Sequence, residues 1–253
     1  DGDYTTSVYG DNNILTSVGN PVGLFYGYKT AGVFATDAEA KAAGKNGYLY
    51  MEDNAGLRND FKAGDVHFVD QNNDGKISEL DKVVIGDPNP DIYGNIFATI
   101  NYKNLTLTMG WNYSLGNDVY NYQRSILNSG STFYNQQVAE VAHWRYEGQQ
   151  TDLPRLAYGD PMGNNRFSDR WIEDGSYLRL KTLNLSYKVP VPGSWTWLQG
   201  LTVWAQANNL LTFTKYLGSD PEFSIGNGVL YQGIDCGNIA QGRSFQCGVK
   251  INL

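Results

Sequence analysis

The chain has 253 residues, 41% hydrophobic and only 18% charged, with a formal net charge of −7 and a mean hydropathy of −0.42. The negative balance argues against a nucleic-acid surface, two Cys can build neither a disulfide scaffold nor a four-Cys zinc site, and no run approaches ~18 apolar residues, so no transmembrane helix is expected. With 29 Gly and 18 Tyr the composition favours strands and turns. Low mean hydropathy also suits a membrane β-barrel, in which only alternate residues face lipid.

The chain starts at Asp1 with no signal-peptide pattern, which reads as a processed chain or a fragment. Residues 1–91 carry 15 acidic and 7 basic side chains, a net of −8, so the acidity is local and calls for a local cause such as a cation site. Ala-rich 37–44 is a candidate short helix, and VHFV at 66–69 reads as a strand. Directly after it, DQNNDGKISELD at 70–81 matches a twelve-residue EF-type calcium loop. Asp70, Asn72 and Asp74 stand at positions one, three and five, and Gly75 permits the sharp turn. Lys76 offers its carbonyl, Ser78 a hydroxyl or a bridging water, and Asp81 fills position twelve, where the longer Glu is usual. Flanking strand rather than helix predicts a structural clamp, not a sensor. The plain alternative is an Asx-rich turn without metal.

From residue 95 onward the pattern alternates. Ile96, Ala98, Ile100 and Tyr102 interleave with Asn95, Phe97, Thr99 and Asn101, and Leu105, Leu107, Met109, Trp111, Tyr113 and Leu115 with mostly polar partners. Lys103-Asn104 between them predicts a tight hairpin. The long stretch 116–172 follows, with a weak helical spacing at 136–146 and six aromatics, Tyr120, Tyr122, Phe133, Tyr134, Trp144 and Trp171. Read as exposed, these suit sugar or peptide stacking, and packing among loops is the competing reading. Leu183, Leu185, Tyr187 and Val189 then alternate with polar residues, but Leu178 and Leu180 have the opposite phase, which predicts a bulge near Lys181. Further strands are expected at 201–207 and 244–253. Catalytic signals are weak. Adjacent Glu173 and Asp174 point to opposite faces of a strand, Asp152, Asp160 and Asp169 read as solvated loop acids, and neither His67 nor His143 has a triad context.

Connections are short at 103–104 and 190–200 and long at 30–91, 116–172 and 214–242. That asymmetry is the one outer-membrane barrels have. A soluble antiparallel sandwich with one wet face is the alternative that periodicity alone leaves open.

Several segments resemble the C-terminal part of the SusC/RagA-type TonB-dependent outer-membrane transporters: residues 18–34, AGDVHFVDQNNDGKISELDKVVIGDPNPDIYG (63–94), 101–121, RWIEDGSYLRLKTLNLSYKVP (170–190), 204–222 and RSFQCGVKINL (243–253). The resemblance implies an all-β chain supplying about six strands of a barrel of about 22, with 30–91, 116–172 and 214–242 as extracellular loops. It implies import of oligosaccharides or oligopeptides without bond breakage, at the outer membrane of a Gram-negative bacterium. The implied partners are a SusD-type surface lipoprotein, the plug and remaining barrel strands, TonB acting through that remainder, and outer-membrane lipid. Leu253 departs from the aromatic residue with which such barrels usually end, and Cys236 and Cys247 are unusual for the family. One lies in a loop and the other on the apolar row, so no disulfide is expected. A soluble, calcium-stabilised carbohydrate-binding β module is the rival.

Overall fold

The computed structural model describes residues 2–8, 13–53, 55–222, 226 and 228–253. Its chain folds as two compact units. One is assembled from three segments, 1–89, 118–173 and 223–237, and the other from 90–117, 174–222 and 238–253. Residues 223–225 and 227 of the 214–242 connection lie outside the described set.

The second unit is a five-stranded antiparallel sheet of long strands, Ile92–Tyr102, Leu105–Leu115, Tyr177–Val189, Gly200–Thr214 and Ser244–Asn252, paired in chain order. Five strands stand where about six were expected. The first two are joined by Lys103-Asn104, with Lys103 in the left-handed region at φ 53. The fourth runs seven residues beyond the alternating stretch 201–207.

Register explains the phase reversal in the third strand. Gly110 pairs with Thr182 and Trp111 with Leu180, so Lys181 is skipped. On its other side Thr182 pairs with Asn208 and Leu180 with Leu211, so Asn209 and Leu210 face the same bulge, Asn209 at φ 52. One extra residue flips every side chain beyond it. The result is one continuous apolar face: Leu178 and Leu180 rejoin the row of Leu183 and Leu185 beside Met109 and Trp111. Its outer members stay exposed, Ile96 at 56%, Ile100 at 54%, Phe245 at 72% and Val249 at 59%. The opposite face carries Thr106, Thr108, Asn112, Asn184, Gln206 and Gln246. Two aromatics there lie across glycines. Phe97 covers Gly110, and Trp204 covers Gly248, where a Cβ would stand 2.7 Å from the indole.

Charge is concentrated beyond the bulge. Arg179, 3% exposed, forks onto Asp220 and reaches Glu222 at 2.6 Å, while Lys181 meets Glu222 at 2.7 Å. Burial pushes the Asp220 carboxyl up, but the Arg179 guanidinium and the amides of Gln241 and Glu222 outweigh it and hold the group below the usual range.

The first unit brings most of the 30–91 and 116–172 stretches and part of 214–242 into one compact fold. It holds a sheet of Tyr4–Ser7, Asn13–Thr16, Leu24–Tyr28 and Lys82–Gly86, three smaller sheets and short helices. The Ala-rich stretch forms a helix at Asp37–Ala43, N-capped by Thr36, and 136–146 contains a 3-10 turn at Val138–Ala142. Phe34, Leu49, Phe61, Val66 and Phe68 form one buried cluster, and Ile14, Phe25, Tyr120, Phe167, Trp171 and Ile234 another.

Candidate functional site

The segments of the first unit are held together by buried charge. Asp65 is fully buried and accepts from Arg155 Nε and Nη2 at 2.9 and 3.1 Å, from Asn164 Nδ2 at 3.0 Å and from the Lys62 amide at 2.9 Å. Asn164 in turn accepts from the Val66 amide at 2.8 Å. Asp169 accepts from the amide and hydroxyl of Thr30, and Asp160 from the amides of Asn164 and Asn165. Asp160 and Asp169 are therefore backbone ties, not the freely solvated acids that composition suggested. Glu173 pairs with Arg124 at 2.6 Å, consistent with structure rather than proton transfer.

The aromatics separate into two groups. Trp171 is 1% exposed, with the guanidinium groups of Arg124 and Arg170 over its indole at 5.3 and 4.9 Å, and its N–H donates to the Arg166 carbonyl at 3.1 Å. Burial, and then the neighbouring Arg124, lower the Arg170 pKa to about 10. Tyr120 is 4% exposed and packs edge-on to Phe167, with Tyr122 against the same core. Trp144 is half-buried over Gly64. Tyr120 and Trp171 are thus core residues, each burying on the order of 150–250 Å², while Tyr122 is partly buried against the same cluster. Alternation could not reveal this, because 116–172 lacks it. Phe133 and Tyr134 do remain open, at 92% and 82% exposure. Phe133 stacks on Tyr158 with centroids 4.9 Å apart, beside a shallow cleft of about 360 Å³ bounded also by Gln136 and Leu156. Tyr158 was missed by the sequence reading. It lies in a Gly/Pro/Asn-rich stretch and meets Phe133 only through the fold.

The 70–81 loop closes on itself. Asp70 accepts from the amides of Asp74 and Gly75 at 3.3 and 2.7 Å, and Asp74 from the Lys76 amide at 2.8 Å and from Asn72. Asn73 and Gly75 are left-handed at φ 57 and 88, and Ile77 is buried. Asp81, fully buried, joins the loop ends by accepting from the amides of Gln71 and Ser78 at 2.9 and 2.7 Å. Lys76 pairs with Glu52. Among the described residues no three His, Cys, Asp or Glu side chains converge as a metal-holding group. Hard oxygens are present in the right order; each oxygen of Asp70 and Asp74 accepts a single hydrogen bond, whereas Asp81 Oδ2 accepts from both the amide and the hydroxyl of Ser78.

Comparison with known proteins follows from this geometry. No family profile matches the chain. It is 32% identical over 93% of its length to TonB-dependent receptor P3 and 34% identical over 96% to TonB-dependent receptor P26, both of Formosa agariphila. It is 26% identical over 74% of its length to TonB-dependent receptor SusC of Bacteroides thetaiotaomicron. The chain spans about a quarter of the two Formosa relatives, 22% and 24% of their lengths. Among solved structures it superposes on the RagAB peptide transporter with a TM-score of 0.70 at 22% identity, covering 98% of this chain and 24% of that one. The open-open RagAB peptide importer gives 0.64 at 22% identity, with 99% and 24% coverage. Sequence kinship, strand composition and the unbroken apolar face agree: the chain belongs to the TonB-dependent receptors of the SusC and RagA type, and its five-stranded sheet is a section of their barrel wall.

Proposed function

We propose that this chain is part of an outer-membrane importer that takes up oligosaccharides or oligopeptides, driven through TonB and working with a SusD-type surface lipoprotein. The observation that carries this reading is the apolar face, kept continuous across five strands by a bulge and left open to its surroundings. A soluble module would cover such a face with a second layer, so the carbohydrate-binding alternative is the weaker one. The 30–91, 116–172 and 214–242 segments lie on the extracellular side, since the connections at 103–104 and 190–199 leave the opposite end of the sheet. Of the six aromatics first considered, Phe133 and Tyr134 are highly exposed, and this exposure supports a role for them, with Tyr158, in meeting cargo or partner.

Calcium at the 70–81 loop belongs to the same reading. Its support is the twelve-residue spacing, the left-handed Asn73 and Gly75, and the buried Ile77 anchor. Asp70, Asn72, Asp74, Lys76 through its carbonyl, Ser78 and Asp81 would hold the ion, and its task would be to stiffen the loop. Metal analysis of the purified full transporter should find calcium, and chelation should speed cleavage within 62–90. Metal-free protein whose cleavage ignores the chelator would overturn this.

Uptake of labelled oligomers by cells carrying the full transporter tests the main proposal. Accumulation should require both TonB and the lipoprotein, and mass spectrometry of ligand retained by the native complex should identify the cargo. Recovery of the transporter in the soluble fraction without detergent, or uptake indifferent to TonB, would refute it.

A further inference from the structure

The first unit contains a cavity of about 650 Å³ with a floor of Tyr28, Met51, Ile77 and Phe167. That volume falls in the range of small-ligand sites. Two of its three cations already have partners. Lys76 meets Glu52 at 2.5 Å, and Lys82 meets Glu79 at 2.5 Å while lying over the Tyr28 ring. Arg166 differs. Its guanidinium lies over the rings of Tyr28 and Phe68, 5.5 and 5.6 Å from their centroids, and Nη2 faces the Met51 sulfur. Among the described residues no carboxylate comes within ion-pair distance of it. Asp160, the acid that acts on it through space, spends its oxygens on the amides of Asn164 and Asn165 at 2.7 and 2.8 Å.

This guanidinium is positioned by its surroundings. Gly163, at φ 61, leaves the room it occupies, since a Cβ there would stand 2.4 Å from Arg166 Nε. Aromatic rings and a thioether neighbour the fork but satisfy little of it. A guanidinium carries five N–H donors, and a thioether is a weak acceptor. A planar fork with unspent donors, partly desolvated in a cavity, matches a carboxylate, which it binds through two parallel hydrogen bonds. Glu52, Asp53 and Glu79 balance the three cations, so the cavity carries no net charge and a preference for an acid rests on the fork of Arg166.

We propose that this cavity is a subsite for a carboxylate on the imported oligomer, with Arg166 as its fork. The proposal rests on the import reading and narrows it to cargo that carries an acid, either an acidic sugar or a peptide C-terminus. Calorimetry on the full transporter complex tests it with two probe pairs: an oligouronate and its carboxyl-reduced analogue, and a tetrapeptide with a free or an amidated C-terminus. Wild type should prefer the acid in one pair, and that pair names the source. Arg166→Gln should weaken the acid by at least tenfold, about 1.4 kcal/mol, and leave the neutral member unchanged. Arg166→Lys, a point charge without the fork, should recover only part. Gly163→Ala, which displaces the fork without removing its charge, serves as the second variant if Arg166→Gln assembles poorly, and it should also lose the preference. Equal binding of acid and neutral probes by wild type, or unchanged preference in Arg166→Gln or Gly163→Ala, would overturn the subsite. TonB-dependent uptake of a neutral oligomer, measured in parallel, distinguishes the two failures. If it persists while the acid preference is absent, import stands and the subsite falls; if it never depended on TonB, the import reading itself fails.

Discussion

Replacing Asp65 by Ala should loosen the first unit at two places far apart in sequence. In the folded chain its carboxylate serves four donors, on Lys62, Asn164 and twice on Arg155. The Arg155 side chain is 37% exposed, so its guanidinium can return to water at little cost. The Lys62 amide belongs to an exposed residue, but the buried Asn164 amide group has no such escape, and a buried donor left without a partner costs about 1–3 kcal/mol. Taken at about 2 kcal/mol, and if cleavage follows the population of locally opened chain, that is roughly a 30-fold rise in rate. The assay is limited proteolysis of the purified full transporter, with cut sites mapped by mass spectrometry. Cuts should rise together around 62–66 and 153–167, because Asn164 passes the tie on to Val66. Asp65→Asn should cost less, since its carbonyl still accepts. A rise under about fivefold, equivalent to less than ~1 kcal/mol, or cuts in only one segment, would refute the argument that this carboxylate joins the two.

Three further outcomes follow from the same structure. Deleting Lys181 removes the bulged residue but leaves Leu178 and Leu180 in phase with Leu183 and Leu185, so the wall should still assemble, judged by the heat-modifiable band in outer-membrane preparations; Lys181→Ala keeps the bulge and should assemble too, losing only a surface pair worth ~1 kcal/mol or less, and loss of the band in the deletion would count against the register. Gly248→Val puts a Cβ where the Trp204 indole lies and should lower the unfolding temperature of the wall, whereas paired Gly248→Val/Trp204→Ala should recover part of it; no recovery would show that the contact is not the cause. His67, stacked on Phe34 at 4.3 Å, has its pKa held below the ordinary 6.5 by burial, with Glu39 partly opposing. Above about pH 6.5 it is neutral folded or unfolded; as pH falls through that value the unfolded chain takes up a proton that the folded chain resists, so stability drops toward the depressed folded pKa. Thermal melts from about pH 8 to pH 5.5 should show a shallower decline in His67→Gln, and parallel curves would refute the assignment.

The wall was legible because its information is local. Period-two alternation needs only neighbours in sequence, and a phase reversal within one strand announces a bulge before any partner strand is known. The hairpin at Lys103-Asn104 and the strands from Leu105, Leu183 and Ser244 came from this signal alone. The continuation of the fourth strand to Thr214 did not, since the run Asn208-Asn209-Leu210-Leu211 breaks alternation where two residues face the bulge. The first unit was poorly legible for the opposite reason. Its stability comes from partners 90 and 139 residues apart, Arg155 with Asp65 and Asp169 with Thr30. Nothing in local composition separates such an acid from one left in water.

The same distinction accounts for the aromatics and leads to the bulge as the feature that ties wall to charge. An aromatic in an aperiodic stretch can stack on cargo or fill a core, and the choice depends on which distant segment meets it: Ile234 packs with Tyr120 in a buried cluster, whereas Phe133 stacks on Tyr158 and stays 92% exposed. Within the third wall strand that choice is forced. Had Lys181 been in register, Arg179 would have pointed with the apolar row; on the outer face of a membrane barrel a cation costs about 2–4 kcal/mol at mid-depth and about 0–1 near the rim. The bulge turns Arg179 to the polar face, where Asp220, Glu222 and Thr212 satisfy it, and turns Leu178 and Leu180 outward in the same step. By absorbing the extra residue the bulge thus keeps the apolar face unbroken and places a buried cation where the connection after the fourth strand can fold onto it. Asp220 and Glu222 follow that strand's end at Thr214 closely enough to be drawn against the polar face. The geometry of that connection is set by the wall's register as much as by its own sequence.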